Sequence, residues 1–507
     1  MKKNVSLLNA LLMASTITLG LASCGTGSTS VSSSSDTSAN SATSANSEVT
    51  DSSVSSSSTT DVTPVETLKY DPTVPVSIKF YSTMGQKLRD IFDPFVKTFQ
   101  DEHPNITVEH TSIGGYDEVR DQIKTELGAV GEGPNLAYCY PDHVALYNLS
   151  RKVQPLDKFI YNTEKNEDGT LKYGLTEKEI NDFVPGYWNE GKSFGDNQMY
   201  SLPFSKSTEV LYYNKDEFTR LGLKVPTHWF KDDVDSTGAL MDATTSMEYV
   251  CEQLSLAHPN DIPLGYDSEA NWFITMCEQY GSPYTTTDKS NHFLFDNEVN
   301  RTFVTRFADW AMNKHYVTTQ QIVGNYTSTL FVNTDSTKTT SYMSIGSSAG
   351  ASNQKPVDGL FEVGIAPIPQ VDQNNRKVIS QGPSICMFRK DNEQEVVATW
   401  LFLKYLTTNV ALQANFSSSS GYVPAITSVY SNNKYVEFLD DADGYSGITA
   451  LSAKVCSEQS DAYFTSPAFV GSSEARTQVG NLMVAAFTGT SVADAFKDAI
   501  AQCEASL

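Results

Sequence analysis

Between Val76 and Tyr140 the apolar residues switch repeatedly between the short runs of strands and the three-to-four spacing of helices, and no other feature constrains the fold as tightly. Val76 to Tyr81 reads as a strand, and Leu88, Ile91, Phe92, Phe95 and Phe99 follow at helical spacing. Ile106-Thr107-Val108 opens a second strand, and a helix from Tyr116 carries Val119, Ile123 and Leu127 on one face. A Gly-Glu-Gly-Pro turn then leads into a third strand, Leu136 to Tyr140. This βαβαβ order implies a parallel sheet with helices on both faces, hence an α/β fold. Ligands of such sheets sit beyond the carboxyl ends of the strands, so the loops after Tyr81, Val108 and Tyr140 are the first places to look.

Further on, Glu209 to Tyr213 reads as a strand, Lys215 to Leu221 as a short helix and Phe361 to Ala366 as a strand closed by Pro367. A strong helix follows Asp391, with Val397, Trp400, Leu401 and Tyr405 on one face, and another runs from Ser491 to about Cys503. The stretch from about Glu66 to Leu507 is too long for one ordinary core and implies two domains.

The N-terminus belongs to a different regime. Lys2 and Lys3 precede a mostly apolar run from Leu7 to Ala22, which ends in Leu21-Ala22-Ser23-Cys24. A charged start, a short apolar core and a small-residue cleavage site describe a secretory signal, residues 1–23, rather than a membrane span of roughly 20 apolar residues. Leu-Ala-Ser-Cys resembles a bacterial lipobox, in which Cys24 is lipidated and holds the chain on the outer face of a membrane. Residues 24–66 are dominated by Ser, Thr, Ala and Asn; with so little apolar surface to offset ordering entropy, they read as a tether.

A formal net charge of -24 argues against a nucleic-acid partner, which would need a Lys/Arg-rich patch. Chemistry-bearing motifs are scarce. Gly346-Ser347-Ser348-Ala349-Gly350 fits the turn that exposes a nucleophilic serine, but in that fold the histidine follows the serine, and the last histidine here is His315. A Gly/Ser turn that meets a ligand is the better reading. The histidines lack paired metal-ligand spacing and the cysteines lack C-x-x-C, so no metal, cofactor or catalytic set is expected. Cys139, Cys251, Cys277, Cys386, Cys456 and Cys503 read as core residues, with their pairing left open. Aromatic residues make up 11% of the chain, and those beside Gly, Ser or Asn in loops suit stacking on the C–H faces of sugars and polyols, while most of the rest pack the core.

Leu202-Pro203-Phe204-Ser205-Lys206-Ser207-Thr208-Glu209-Val210-Leu211-Tyr212-Tyr213-Asn214-Lys215-Asp216, then Leu221-Gly222-Leu223, Pro226-Thr227-His228-Trp229 and the late Ser420-Gly421-Tyr422-Val423-Pro424, occur in an order that resembles the extracellular solute-binding proteins of family 1. These are the capture subunits of carbohydrate-type ABC importers, and the likeness is nearest to their glycerol-3-phosphate-binding branch. It implies a two-lobed periplasmic-binding-protein-like fold with a ligand cleft between the lobes. Lobe 1 would comprise residues 67–202 and 384–426, and lobe 2 residues 203–383 and 427–507.

The resemblance also implies a ligand set. Tyr116 would offer a ring and hydroxyl, Ser207 a hydrogen bond, Trp272 a stacking face, Ser347 or Ser348 the Ser-Ser turn, Gly382 a backbone donor and Tyr422 a further tyrosine. Arg476, counted back from Phe487-Thr488-Gly489, stands where the branch pairs a phosphate. Pro141-Asp142 replaces the branch's glutamate, so only Asp142 can play its part. The implied cargo is a sugar or polyol phosphate such as glycerol 3-phosphate, with a neutral oligosaccharide as the alternative. The implied partners are an ABC permease with its cytoplasmic ATPase and a membrane reached through Cys24, the protein itself being a monomer. An exported glycan-degrading enzyme and a cell-wall adhesin are the rival readings.

Overall fold

A computed structural model describes residues 67–129, 133–288 and 290–507 of the chain. The signal segment, Cys24 and the Ser/Thr-rich tether lie outside the described residues.

The N-terminal strand Val76–Ser82 alternates its burial, with Ile78, Phe80 and Ser82 turned inward. It pairs in parallel with Ile106–Ser112 on one side and Leu136–Cys139 on the other. The connecting helices are Gln86–Glu102, which buries Phe92, Val96 and Phe99, and Tyr116–Ala129, which buries Val119 and Ile123. The sheet is completed by Ser384–Met387 and Ser201–Pro203, both antiparallel to their neighbours, so it is mixed rather than wholly parallel. Late returns of the chain supply those strands, and no βαβ pattern marks them. Its core gathers Phe80, Phe92, Phe99, Trp400 and Phe402, the last two from the helix Glu393–Thr408, whose N-cap is Asn392.

A second five-stranded sheet follows the order Val363–Ala366, Glu209–Asn214, Met343–Ser347, Leu264–Tyr266, Val317–Thr319. Phe361 lies outside its strand, in a bend, where its ring meets Phe331 edge-on. The helix Lys215–Leu221 is set by Asn214, whose side chain accepts from the Glu217 amide, and by Gly222, whose φ of 67° ends it in the left-handed region. Trp229, Trp272, Phe273, Phe307 and Phe496 fill this sheet's own core. The fold is thus α/β, with two five-stranded sheets and a large core against each, the two-lobed arrangement expected.

The chain passes between the two sheets along short pairings. Ser205–Lys206 runs antiparallel to Val423–Pro424, and Ser207 bridges Gln381 through backbone hydrogen bonds. Beyond them, Val429 and Tyr435 are buried with Trp400 and Phe402, so the segment through the helix Asn433–Asp440 belongs to the first core. Ile448 and Val455 join Val210, Tyr212 and Val363 instead.

Candidate functional site

Where the parallel strands of the first sheet end, the chain enters a cleft of about 1250 Å³. Tyr116 starts its helix there, and Tyr140 precedes the helix Pro141–Asn148, so both rings reach the cleft wall with Asp142 and His143. The loops after the second and third strands thus contribute, as the strand order predicts; the loop after Tyr81 is not part of the wall. Tyr116 packs edge-on against Tyr140 at 5.0 Å between ring centroids, and its hydroxyl lies 3.1 Å from that of Tyr422. Burial holds the phenols of Tyr116 and Tyr422 above the ordinary tyrosine range, so both stay protonated; one donates to the other, which leaves one O–H of the pair for a ligand.

The opposite wall is polar. Ser207, Glu209, Asp267, Asn271, Ser347 and Arg476 line it. Glu209 begins the strand Glu209–Asn214 and is only 1% exposed. Its carboxylate accepts from the Tyr266 hydroxyl at 2.7 Å and from Asn271 Nδ2 at 3.0 Å. Asn271 Oδ1 in turn accepts from the Arg476 guanidinium. The amide of Asn271 is therefore oriented by its two partners, a carboxylate on one side and a cation on the other. Burial pushes Glu209 up to about 8; the Tyr266 hydrogen bond and the charge of Arg476 act the other way. Burial likewise raises Asp267, whose Oδ1 accepts from the amide and hydroxyl of Thr327 at 2.7 and 2.8 Å.

Carboxylates outnumber cations around this wall. Glu269 and Glu474 join Glu209 and Asp267, while Arg476 is the cation hydrogen-bonded into the set. Arg120, nearer the first wall, is engaged by Asp117 at 2.6 Å and Asp121 at 2.9 Å. Among the described residues no group of His, Cys, Asp and Glu could hold a metal ion, and no helix is long and apolar enough to cross a membrane.

Of the residues expected from sequence, the cleft brings together Tyr116, Asp142, Ser207, Ser347, Tyr422 and Arg476. The other three, Trp272, Ser348 and Gly382, do not line it. Trp272 is fully buried, stacked on Tyr266 at 4.5 Å and packed against Phe307 and Phe487, so it offers no face to a ligand. On a helix the next residue points about 100° away, which sends Asn271 to the cleft and Trp272 to the core. Ser348 is buried too, its hydroxyl accepting from the Thr208 amide at 3.2 Å, which leaves Ser347 as the serine of that turn in the wall. Gly382 lies behind the wall formed by Ser380 and Gln381, and its carbonyl accepts from Lys206 Nζ at 2.8 Å. With φ of 78° and the Ser205 carbonyl 2.1 Å from any added Cβ, Gly382 is there for close backbone approach.

Sequence reasoning missed Glu209, Asp267, Asn271, Tyr140 and Tyr284 as wall residues. Glu209 carried a usable signal, since it is the one charged residue between Thr208 and the apolar run Val210 to Tyr213. The others carry none that separates them from ordinary surface or core residues.

The pattern of the bacterial extracellular solute-binding proteins matches residues 95–439, and the chain belongs to that family. Among curated proteins, the sn-glycerol-3-phosphate-binding periplasmic protein UgpB of Escherichia coli O1:K1 / APEC is 28% identical over 168 residues, covering 32% of this chain and 35% of the relative. The match thus spans about a third of that relative's length. Among solved structures, UgpB from Mycobacterium tuberculosis in complex with glycerophosphocholine superposes with a TM-score of 0.63 at 17% identity, covering 85% of this chain and 98% of the other. The GacH receptor of Streptomyces glaucescens GLA.O, solved unliganded and with acarbose, gives 0.62 at 15% identity, covering 85% and 97%. At such identities these structures speak for the two-lobed fold.

Proposed function

We propose that this chain is the substrate-binding lipoprotein of an ABC importer, capturing a sugar or a polyol phosphate in the cleft and delivering it to the permease. The observation that carries this reading is the cleft itself, with tyrosine rings and hydroxyls on one wall and a hydrogen-bonded set of carboxylate, amide and guanidinium on the other. Rings meet the C–H faces of a polyol, and the polar wall satisfies its hydroxyls. A ligand that touches both walls favours a closed form over an open one by its differential contacts, and the permease would read the closed form. Cys24 would carry the lipid anchor and residues 24–66 the tether that keeps the receptor near its permease.

Both ligand chemistries have support. Arg476 and the likeness to glycerol-3-phosphate-binding proteins favour a phosphate ester. The acidic wall and the likeness to the acarbose-binding GacH receptor favour an uncharged saccharide. A thermal-shift screen over neutral sugars and polyol phosphates, followed by small-angle scattering, tests the reading. A true ligand raises the melting temperature by mass action and contracts the particle. Turnover of a glycan without added cofactor, or no stabilisation and no contraction with any compound, would count against capture.

A further inference from the structure

Arg476 does not face the cleft alone. Through Asn271 it is joined to Glu209, a carboxyl shut off from water within the same wall. The groups facing Glu209 come from several elements: Tyr266 from the strand Leu264–Tyr266, Asp267 just after it, Asn271 from the helix Glu269–Gln279 and Arg476 from the helix Ser472–Phe487. Among them Arg476 is the cation, whereas Asp267 adds negative charge.

We propose that Glu209 is the specificity-determining residue of the cleft: an anionic ligand docks on Arg476 only while Glu209 carries a proton, whereas an uncharged sugar docks in either protonation state. The inference rests on the reading of the cleft as the ligand site. An ionised Glu209 balances the guanidinium, so a phosphate arriving there would add an uncompensated charge beside a buried carboxylate. Protonation from solvent removes that charge, so the guanidinium, which is hydrogen-bonded to Asn271 and not to Glu209, can meet the phosphate oxygens without a buried anion beside it. Burial pushes Glu209 up to about 8 in the free protein, and a neighbouring anion shifts it further upward. Above that pH each bound anion therefore draws about one proton from solvent, and anion affinity falls about tenfold per pH unit. A sugar hydroxyl can instead accept from Arg476 or donate to either carboxylate, and it leaves the charge balance unchanged.

The test uses glycerophosphoglycerol, a phosphodiester whose single charge is fixed, with the purified protein and its E209Q variant across about pH 6 to 10. Gln keeps the shape of the side chain and an oxygen for Asn271. The expected result is wild-type affinity that falls about tenfold per unit above about pH 8, a flat profile in E209Q, and a variant at least tenfold tighter at the alkaline end. Binding in E209Q with none in the wild type supports the proposal equally. Superimposable profiles, including no binding in either protein, overturn it. Calorimetry of the wild type at about pH 9.5, in two buffers of different ionisation enthalpy, gives a reading independent of the variant's folding: proton uptake approaching one is expected there, and zero uptake overturns the proposal. Because the sugar arm of the ligand screen is read separately, this outcome stands apart from failure of the capture reading.

Discussion

Lys206 Nζ lies 2.8 and 2.9 Å from the two carboxylate oxygens of Glu190, and both side chains are sealed from water. The third ammonium donor goes to the Gly382 carbonyl, and Glu190 also accepts from the hydroxyls of Ser380 and Ser384. The pair therefore ties the helix Pro185–Glu190 to two of the backbone segments that pass between the sheets, the one through Lys206 and the one from Ser380 to Ser384. Removing one partner strands a buried charge, so Lys206→Met should lower unfolding free energy by about 3–5 kcal/mol. The double change Lys206→Met with Glu190→Leu should recover much of that loss. Urea titrations of the three proteins check this; a single variant as stable as wild type would show the pair to be dispensable.

Trp272 and Tyr116 should respond oppositely. Trp272→Ala opens a cavity among Tyr266, Trp229, Phe307 and Phe487 and should cost about 3–5 kcal/mol. The milder Trp272→Phe should lower stability while leaving ligand affinity within about twofold of wild type. Tyr116→Phe removes only the hydroxyl facing Tyr422, so stability should change by about 1 kcal/mol or less while ligand affinity drops. Thermal melts and calorimetry with whichever compound emerges from the ligand screen separate the two effects. Loss of affinity in Trp272→Phe would return the indole to the site.

The contrast marks what the sequence can reveal. The strands and helices from Val76 to Cys139 are legible because each buries one face, and burial leaves a period in the apolar residues. The cleft wall at Tyr116 and Asp142 is legible because strand ends fix where helices begin. Asn271 and Trp272 are adjacent in the chain, and only the tertiary packing of Tyr266 and Phe307 decides which of them turns inward. The partnership of Lys206 with Glu190 is likewise invisible, since the hydrogen bonds that satisfy it come from Ser380, Gly382 and Ser384 far along the chain.

The thiols give a further check on the cores. Cys139, Cys251, Cys277, Cys386, Cys456 and Cys503 are all free and buried. Burial raises the thiols of Cys139, Cys251, Cys277, Cys456 and Cys503, which keeps them from forming reactive thiolate. A water-soluble disulfide reagent should label none of these six in the native protein and all of them in denaturant. Fewer labelled thiols in denaturant without reductant would mean that some are paired.

Glu209 also makes stability depend on pH in a direction that can be worked out. Burial pushes its carboxyl from the ordinary 4.5 of the unfolded chain up to about 8 in the folded protein. Below the first value it is protonated in both states and contributes no difference. Between the two values the unfolded chain releases the proton while the folded protein retains it, so stability falls as pH rises, and above about 8 the accumulated cost is constant. Glu209→Gln cannot ionise and escapes this cost. The ligand-free variant should therefore gain on the wild type from about pH 5 to about pH 8, by an amount on the order of a few kcal/mol, and hold that gain at higher pH. Asp267 is raised as well, and Asp233 to about 6, but both remain in the two proteins and largely cancel in the difference. Urea unfolding of both proteins at about pH 4.5, 6, 7.5 and 9 measures it, and a stability difference that does not change across that range would mean that Glu209 stays ionised in the folded protein.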